Sequence, residues 1–113
     1  MSTQLQHKFD EYIQSAKALG VTETHNEWMS AREYSACAIA LLGVGKIGNY
    51  NTVFDAWQEF EDGADWRSGD SVDRFFASLV PEFPVSFILW ASNAHMHGTS
   101  LEEIREKLPD FEA

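Results

Sequence analysis

Apolar residues recur along the chain at the three- and four-residue steps of an amphipathic helix. Leu5, Phe9, Tyr12, Ile13, Ala16 and Leu19 form one stripe, which predicts a first helix from about Thr3 to Leu19 with Gly20 beyond its end. Thr24 with Glu27, and Ser30 with Glu33, each fit a capping box. A second helix is therefore expected to start near residue 24 or 30. It would run through the small and aliphatic stretch Ala36 to Leu42 and be the most buried of the set. The glycine-rich residues Gly43 to Tyr50 read as a loop. A third helix, capped by Asn51 or Thr52, should span Val53 to about Glu61, with Val53, Ala56, Trp57 and Phe60 on one face.

Residues 64 to 70 read as a polar connection carrying Trp66. Asp70 or Ser71 then caps a fourth helix, whose apolar side is Val72, Phe75, Phe76, Leu79 and Val80 and which Pro81 stops. Pro84 suits the first turn of a fifth helix, where its missing N–H costs nothing, and Gly98 ends that helix. Ser100 and Glu103 open a short last helix with Leu101, Ile104 and Leu108, closed by Pro109. The apolar runs at 36–42 and 85–90 could also be short buried strands, and capping residues favour helix in both. The expected fold is a single all-α domain over residues 1–113, a small bundle of about five to six helices.

Eighteen acids against eight Lys and Arg give a formal charge of −10. That balance disfavours nucleic acid and anionic membranes, whose phosphates need cationic neutralisation. It suits a basic protein partner, or mimicry of DNA toward a DNA-binding protein. No apolar run reaches the ~20 residues of a membrane span. The N-terminal stretch lacks the apolar core of a signal peptide. Cys37 is the single cysteine. A cytoplasmic protein is expected, since a lone thiol has no internal disulfide partner.

Motifs with chemical meaning are few. Gly43 to Gly48 matches G-x-G-x-x-G, but the strand before it and the strand-terminal acid beyond it are missing, because Asp62 and Asp65 follow a helical pattern. The same stretch is no phosphate loop, since Ala40 stands where Gly is needed and Ile47 follows Lys46 where Ser or Thr should bind magnesium. His95 and His97 point about 200° apart on a helix and cannot share a metal there. His7 and His25 lie far away in sequence. Cys37 sits among Ala, Ile and Leu and reads as a buried, inert thiol unless a distant His approaches it. The acids Asp55, Glu59, Glu61, Asp62, Asp65, Asp70 and Asp73, diluted by Arg67 and Arg74, read as a solvated face or as a DNA-like negative surface. Phe87 to Leu108 looks like the helical ending of MazG-type nucleotide pyrophosphatases. Those enzymes need an ExxE and an ExxD for magnesium. Only Glu59 and Asp62 fit an ExxD, in the wrong place, so no catalytic, metal or cofactor residue is assigned and the chain reads as a non-enzyme.

The aromatics remain. Trp66, Phe83 and Phe111 sit outside the clean stripes, and Phe87, Ile88, Leu89 and Trp90 make helix five apolar nearly all round. A bundle of this size should struggle to cover such a helix, which points to a homodimer or another protein as its cover. The candidate partner-binding residues are Trp66, Phe83, Phe87, Ile88, Trp90 and Phe111. In length, acidity, helical content and single-domain build, the chain resembles the small quorum-sensing antiactivators. The resemblance implies a dimeric helical inhibitor that binds a LuxR-type transcription factor and blocks its dimerisation and DNA binding. The alternative is a toxin-immunity or phage-encoded inhibitor that meets a basic nuclease or nucleoprotein through its acids.

Overall fold

The computed structural model describes residues 2–64 and 71–112. Helix α1 (Gln4–Ala18) starts at a full capping box, in which the Gln6 amide donates to Thr3 Oγ1 and the Thr3 amide to Gln6 Oε1. Gly20 takes the left-handed conformation beyond its end (φ 89°). The buried face is Gln6, Phe9, Ile13 and Ala16, the stripe that the spacing predicts. Gln6 also donates to the Arg105 carbonyl at 3.0 Å, and Arg105 grips Asp10 through both carboxylate oxygens. These contacts tie the two ends of the chain together.

Residues 21–37 depart from the expected helix. They form three two-residue strands, β1 (Thr22–Glu23), β2 (Met29–Ser30) and β3 (Ser35–Ala36). β3 lies in the middle, parallel to β1 and antiparallel to β2. The capping signal at Ser30 is real but closes a different structure. Ser30 Oγ accepts the Glu33 amide at 3.3 Å within the turn that joins β2 to β3. Tyr34 leaves that turn at φ 53° and rests its ring on Tyr50, 4.4 Å away. Likewise Thr24 Oγ1 takes the Asn26 amide, two residues on, in a local turn. Strands this short carry no readable alternation.

Helix α2 (Ala38–Ile47) is the hub, with every residue from Ala38 to Val44 buried. It runs straight through the stretch expected as a loop and stops only at Gly48, in the left-handed conformation (φ 82°). The earlier glycines serve packing. A Cβ on Gly45 would stand 1.7 Å from the Tyr12 carbonyl oxygen, so α1 and α2 cross backbone to backbone there. A Cβ on Gly43 would meet side chains alone, Leu79 at 3.1 Å and Val53 at 4.0 Å. Lys46 bridges to Glu82 at 2.8 Å, and the Tyr12 hydroxyl donates to the same carboxylate.

Helices α3 (Tyr50–Gly63), α4 (Val72–Leu79), α5 (Val85–Met96) and α6 (Leu101–Lys107) complete the bundle, followed by a 3-10 turn at Leu108–Phe111. Asn49, Ser71 and Ser100 cap α3, α4 and α6 through side-chain oxygens, and Pro84 precedes α5. The fold is the expected mostly helical single bundle, with a small sheet added.

Helix five needs no external cover on its inner sides. Phe87 and Ile88 are fully buried within this one chain. Phe87 meets Phe9 edge-on at 6.3 Å, Phe83 at 6.0 Å and Phe111 at 5.6 Å. The 3-10 turn folds back over α5, closing the side that the sequence pattern leaves open. Phe83, Phe87 and Ile88 are therefore core residues of this one chain, while Val85 (49 % exposed) and Met96 (57 % exposed) remain uncovered on α5. Leu89 and Trp90 are half-buried.

Two outcomes test this packing. Gly45→Ala should destabilise the fold by about 3 kcal/mol or more, because backbone cannot yield as a side chain does, while Gly43→Ala should stay within about 1 kcal/mol of the parent. Denaturant unfolding of both variants checks the contrast. Burial alone would raise the Glu82 pKa, but Lys46 and Tyr12 outweigh it and hold the carboxyl below its ordinary value near 4.5. A depressed carboxyl adds stability that is present above that pH and lost as pH falls through the folded value. Melting temperatures taken from neutral pH to pH ~3 should thus fall less steeply in Glu82→Gln than in the parent.

Candidate functional site

Among the described residues, Leu19, Tyr34, Ile47, Val85 and Met96 stand exposed singly, and two grooves gather further apolar surface. One runs between α5 and α6 and is lined by Trp90, Thr99, Glu102, Glu103, Glu106 and Lys107, enclosing about 430 Å3. Trp90 packs there against Phe111 at 5.5 Å, so these two expected partner residues stay together at the surface edge. Trp66 lies outside the described residues.

The larger groove, about 510 Å3, was not among the sequence expectations. It lies between residues 26–32 and α3, with Trp28, Phe54 and Trp57 as its aromatic lining. Trp28 is held by a stacked Phe76 at 6.0 Å, and Phe54 by Tyr50 at the same distance. Trp57 donates its indole N–H to Glu61 at 3.1 Å. The outward side of α3 presents Asp55, Glu59, Glu61 and Asp62, all exposed. Of the acidic cluster, Asp65 and Asp70 lie outside the described residues. Periodicity assigned Trp57 to the core face of its helix. It could not show that the strand segment leaves that ring half-covered.

The principal polar constellation is Glu23, His25 and His95. His95 is buried at the C-terminal end of α5, 1 % exposed, and its Nε2 stands 2.6 Å from Glu23 Oε2 on β1. Its Nδ1 accepts the Ala38 amide at 3.3 Å, so the neutral ring carries its proton on Nε2 and donates it to Glu23. His25 lies parallel to His95 with ring centres 4.1 Å apart. The His25 Nδ1 stands 2.7 Å from the His95 carbonyl and donates to it, which leaves Nε2 free to face Glu23 Oε2 at 3.5 Å. Burial lowers the His95 pKa and the neighbouring His25 lowers it further, against the opposing pull of Glu23. The donor atoms of the three residues all lie within 4.8 Å of one another.

A cavity of about 60 Å3 adjoins this cluster, walled by His25, Trp28, Cys37, Ser92, His95 and Met96. Folding thus brings a histidine near the N-terminal end of α2, where Cys37 stands. The thiol is nonetheless poorly suited to nucleophilic work, because burial pushes its pKa up to about 11. His97 is exposed and hydrogen-bonds back to the Asn93 carbonyl, an ordinary helix-end histidine. His7 is exposed on α1. Glu23 and His25 are two positions apart, but the third member, His95, lies 72 positions from Glu23, so no local spacing joins the three.

Comparison with protein-family models, curated proteins and solved structures finds no match to this chain.

Cys37 gives a direct check on the local electrostatics. In the native protein at pH 8 the thiol should react with a disulfide reagent at least ~100-fold more slowly than after unfolding in guanidinium, since only about 1 thiol in 1,000 is ionised at a pKa near 11. A time course of thiol release in both conditions measures it.

Proposed function

We propose that this chain is a non-catalytic, protein-binding inhibitor. It takes a basic, amphipathic segment of its partner into the groove lined by Trp28, Phe54 and Trp57. The resemblance to quorum-sensing antiactivators makes a LuxR-type transcription factor the partner class. The observation that carries the reading is the groove itself, three half-buried aromatics with Glu27 and Arg32 in its lining and Glu61 at its edge through the Trp57 indole. Rigid aromatic surface supplies binding energy at small entropic cost, and a negative rim steers a positive partner on encounter.

The test is calorimetry of the pure chain with purified LuxR-type activators of its own organism. Trp57→Ala and Phe54→Ala should each weaken binding at least tenfold, while Trp90→Ala should leave it within about twofold. Loss of binding in Trp90→Ala alone would move the interface to the α5–α6 groove. Binding to a basic nuclease instead, abolished by Asp55→Lys with Glu61→Lys, would favour the immunity-type alternative. Magnesium-dependent nucleotide hydrolysis by the pure chain would overturn the non-catalytic reading.

A further inference from the structure

We propose that Glu23, His25 and His95 form a binding site for one divalent transition-metal ion of the zinc class, which would clasp the strand segment onto α5. Two imidazoles and one carboxylate are a donor set that suits zinc and its neighbours rather than magnesium or calcium, which prefer oxygen alone. The donors come from two distant parts of the chain, β1 with its following turn and the end of α5. An ion there would crosslink elements that otherwise meet through hydrogen bonds.

The three donor atoms lie within 4.8 Å of one another, and the two rings, stacked at 28° to each other, must tilt for both Nε2 atoms to converge on one tetrahedral ion. Zinc bonds of about 2.0–2.2 Å place neighbouring donors roughly 3.3 Å apart. His25 Nε2 already stands 3.5 Å from Glu23 Oε2. The contact between His95 and Glu23, at 2.6 Å, must open by several tenths of an ångström. Glu23 is free to withdraw, as its side chain is 28 % exposed. His25 is oriented in the way that metal-bound histidines commonly are, with Nδ1–H on the His95 carbonyl at 2.7 Å and Nε2 turned to the site. The adjoining cavity of about 60 Å3 has room for a solvent ligand in the fourth position.

His95 is the demanding ligand. Its Nε2 proton must leave before the ion can bind, and the proton moves to Nδ1, which costs the acceptor of the Ala38 amide. That contact is long, 3.3 Å. The exchange caps the affinity but does not forbid it, and the site should be micromolar rather than picomolar.

The test uses the full chain, stripped with chelator and titrated with zinc chloride against a chromophoric competitor. One zinc per chain should bind with a dissociation constant of about 10 µM or tighter, and the melting temperature should rise with zinc concentration. His25→Ala and Glu23→Gln sit at accessible positions, and circular dichroism verifies that each is folded. Each should weaken zinc binding at least tenfold, while His97→Ala, an exposed histidine on the same helix end, should leave it unchanged. Absence of saturable binding at 100 µM zinc would overturn the site, as would binding that His25→Ala and Glu23→Gln leave intact. Glu23, His25 and His95 would then be a hydrogen-bonded clasp only.

Discussion

The crossing of α1 over α2 at Gly45 is the contact on which the remaining architecture rests. With no side chain at that position, the two backbones meet directly at Tyr12. A helix that approaches another so closely can surrender its whole circumference to packing. α2 does so, from Ala38 to Val44. α1, α3, α4 and α5 then arrange themselves around it, and the core becomes continuous without help from a second chain. The Lys46–Glu82–Tyr12 cluster lies at the rim of the same crossing and fixes its rotation by polar contacts.

Helix starts were legible at α1, α4 and α6 from a capping side chain and at α5 from Pro84, whereas α3 starts at Asn49 rather than at the expected Asn51 or Thr52. Thr3, Ser71 and Ser100 close helix starts through side-chain oxygens, and the stripe of α1 is buried as its spacing demands. Two local signals misled for physical reasons. Ser30 makes the hydrogen bond that a cap makes, but a turn between strands satisfies it as well as a helix does. Glycines read as chain breakers become spacers when another backbone needs the room, and a single sequence holds no sign of that neighbour. Helix five departs from its pattern for a different reason. Counting its apolar faces was sound, but the number of elements able to cover them was set by the 3-10 turn at Leu108–Phe111, whose return over α5 no local pattern foretold.

The candidate sites were hidden for one common reason, which is distance along the chain. Trp28 and Trp57 share a groove across 29 positions, and Glu23 meets His95 across 72. His95 is buried within α5, while His97, just past the helix end, is exposed. Burial of His95 followed from α5 lying against the strand segment, so its polar atoms had to find partners there. Glu23, Ala38 and His25 supply them.

The two candidate sites share a segment of chain. Residues 22–30 carry Glu23 and His25 at one end and Trp28 at the other, and Trp28 walls both the small cavity and the aromatic groove. Two-residue strands contribute little cooperative stability of their own, so the position of this segment depends on what its side chains hold. An ion at Glu23, His25 and His95 would restrain the segment against α5 and so set the stance of Trp28 before a partner arrives. Pre-ordering of that kind lowers the entropic cost of association, and partner affinity would then respond to metal even though no partner atom touches it. The same linkage runs backward. A partner seated on Trp28 would favour the arrangement in which the three ligands converge, and would tighten the ion by an equal factor.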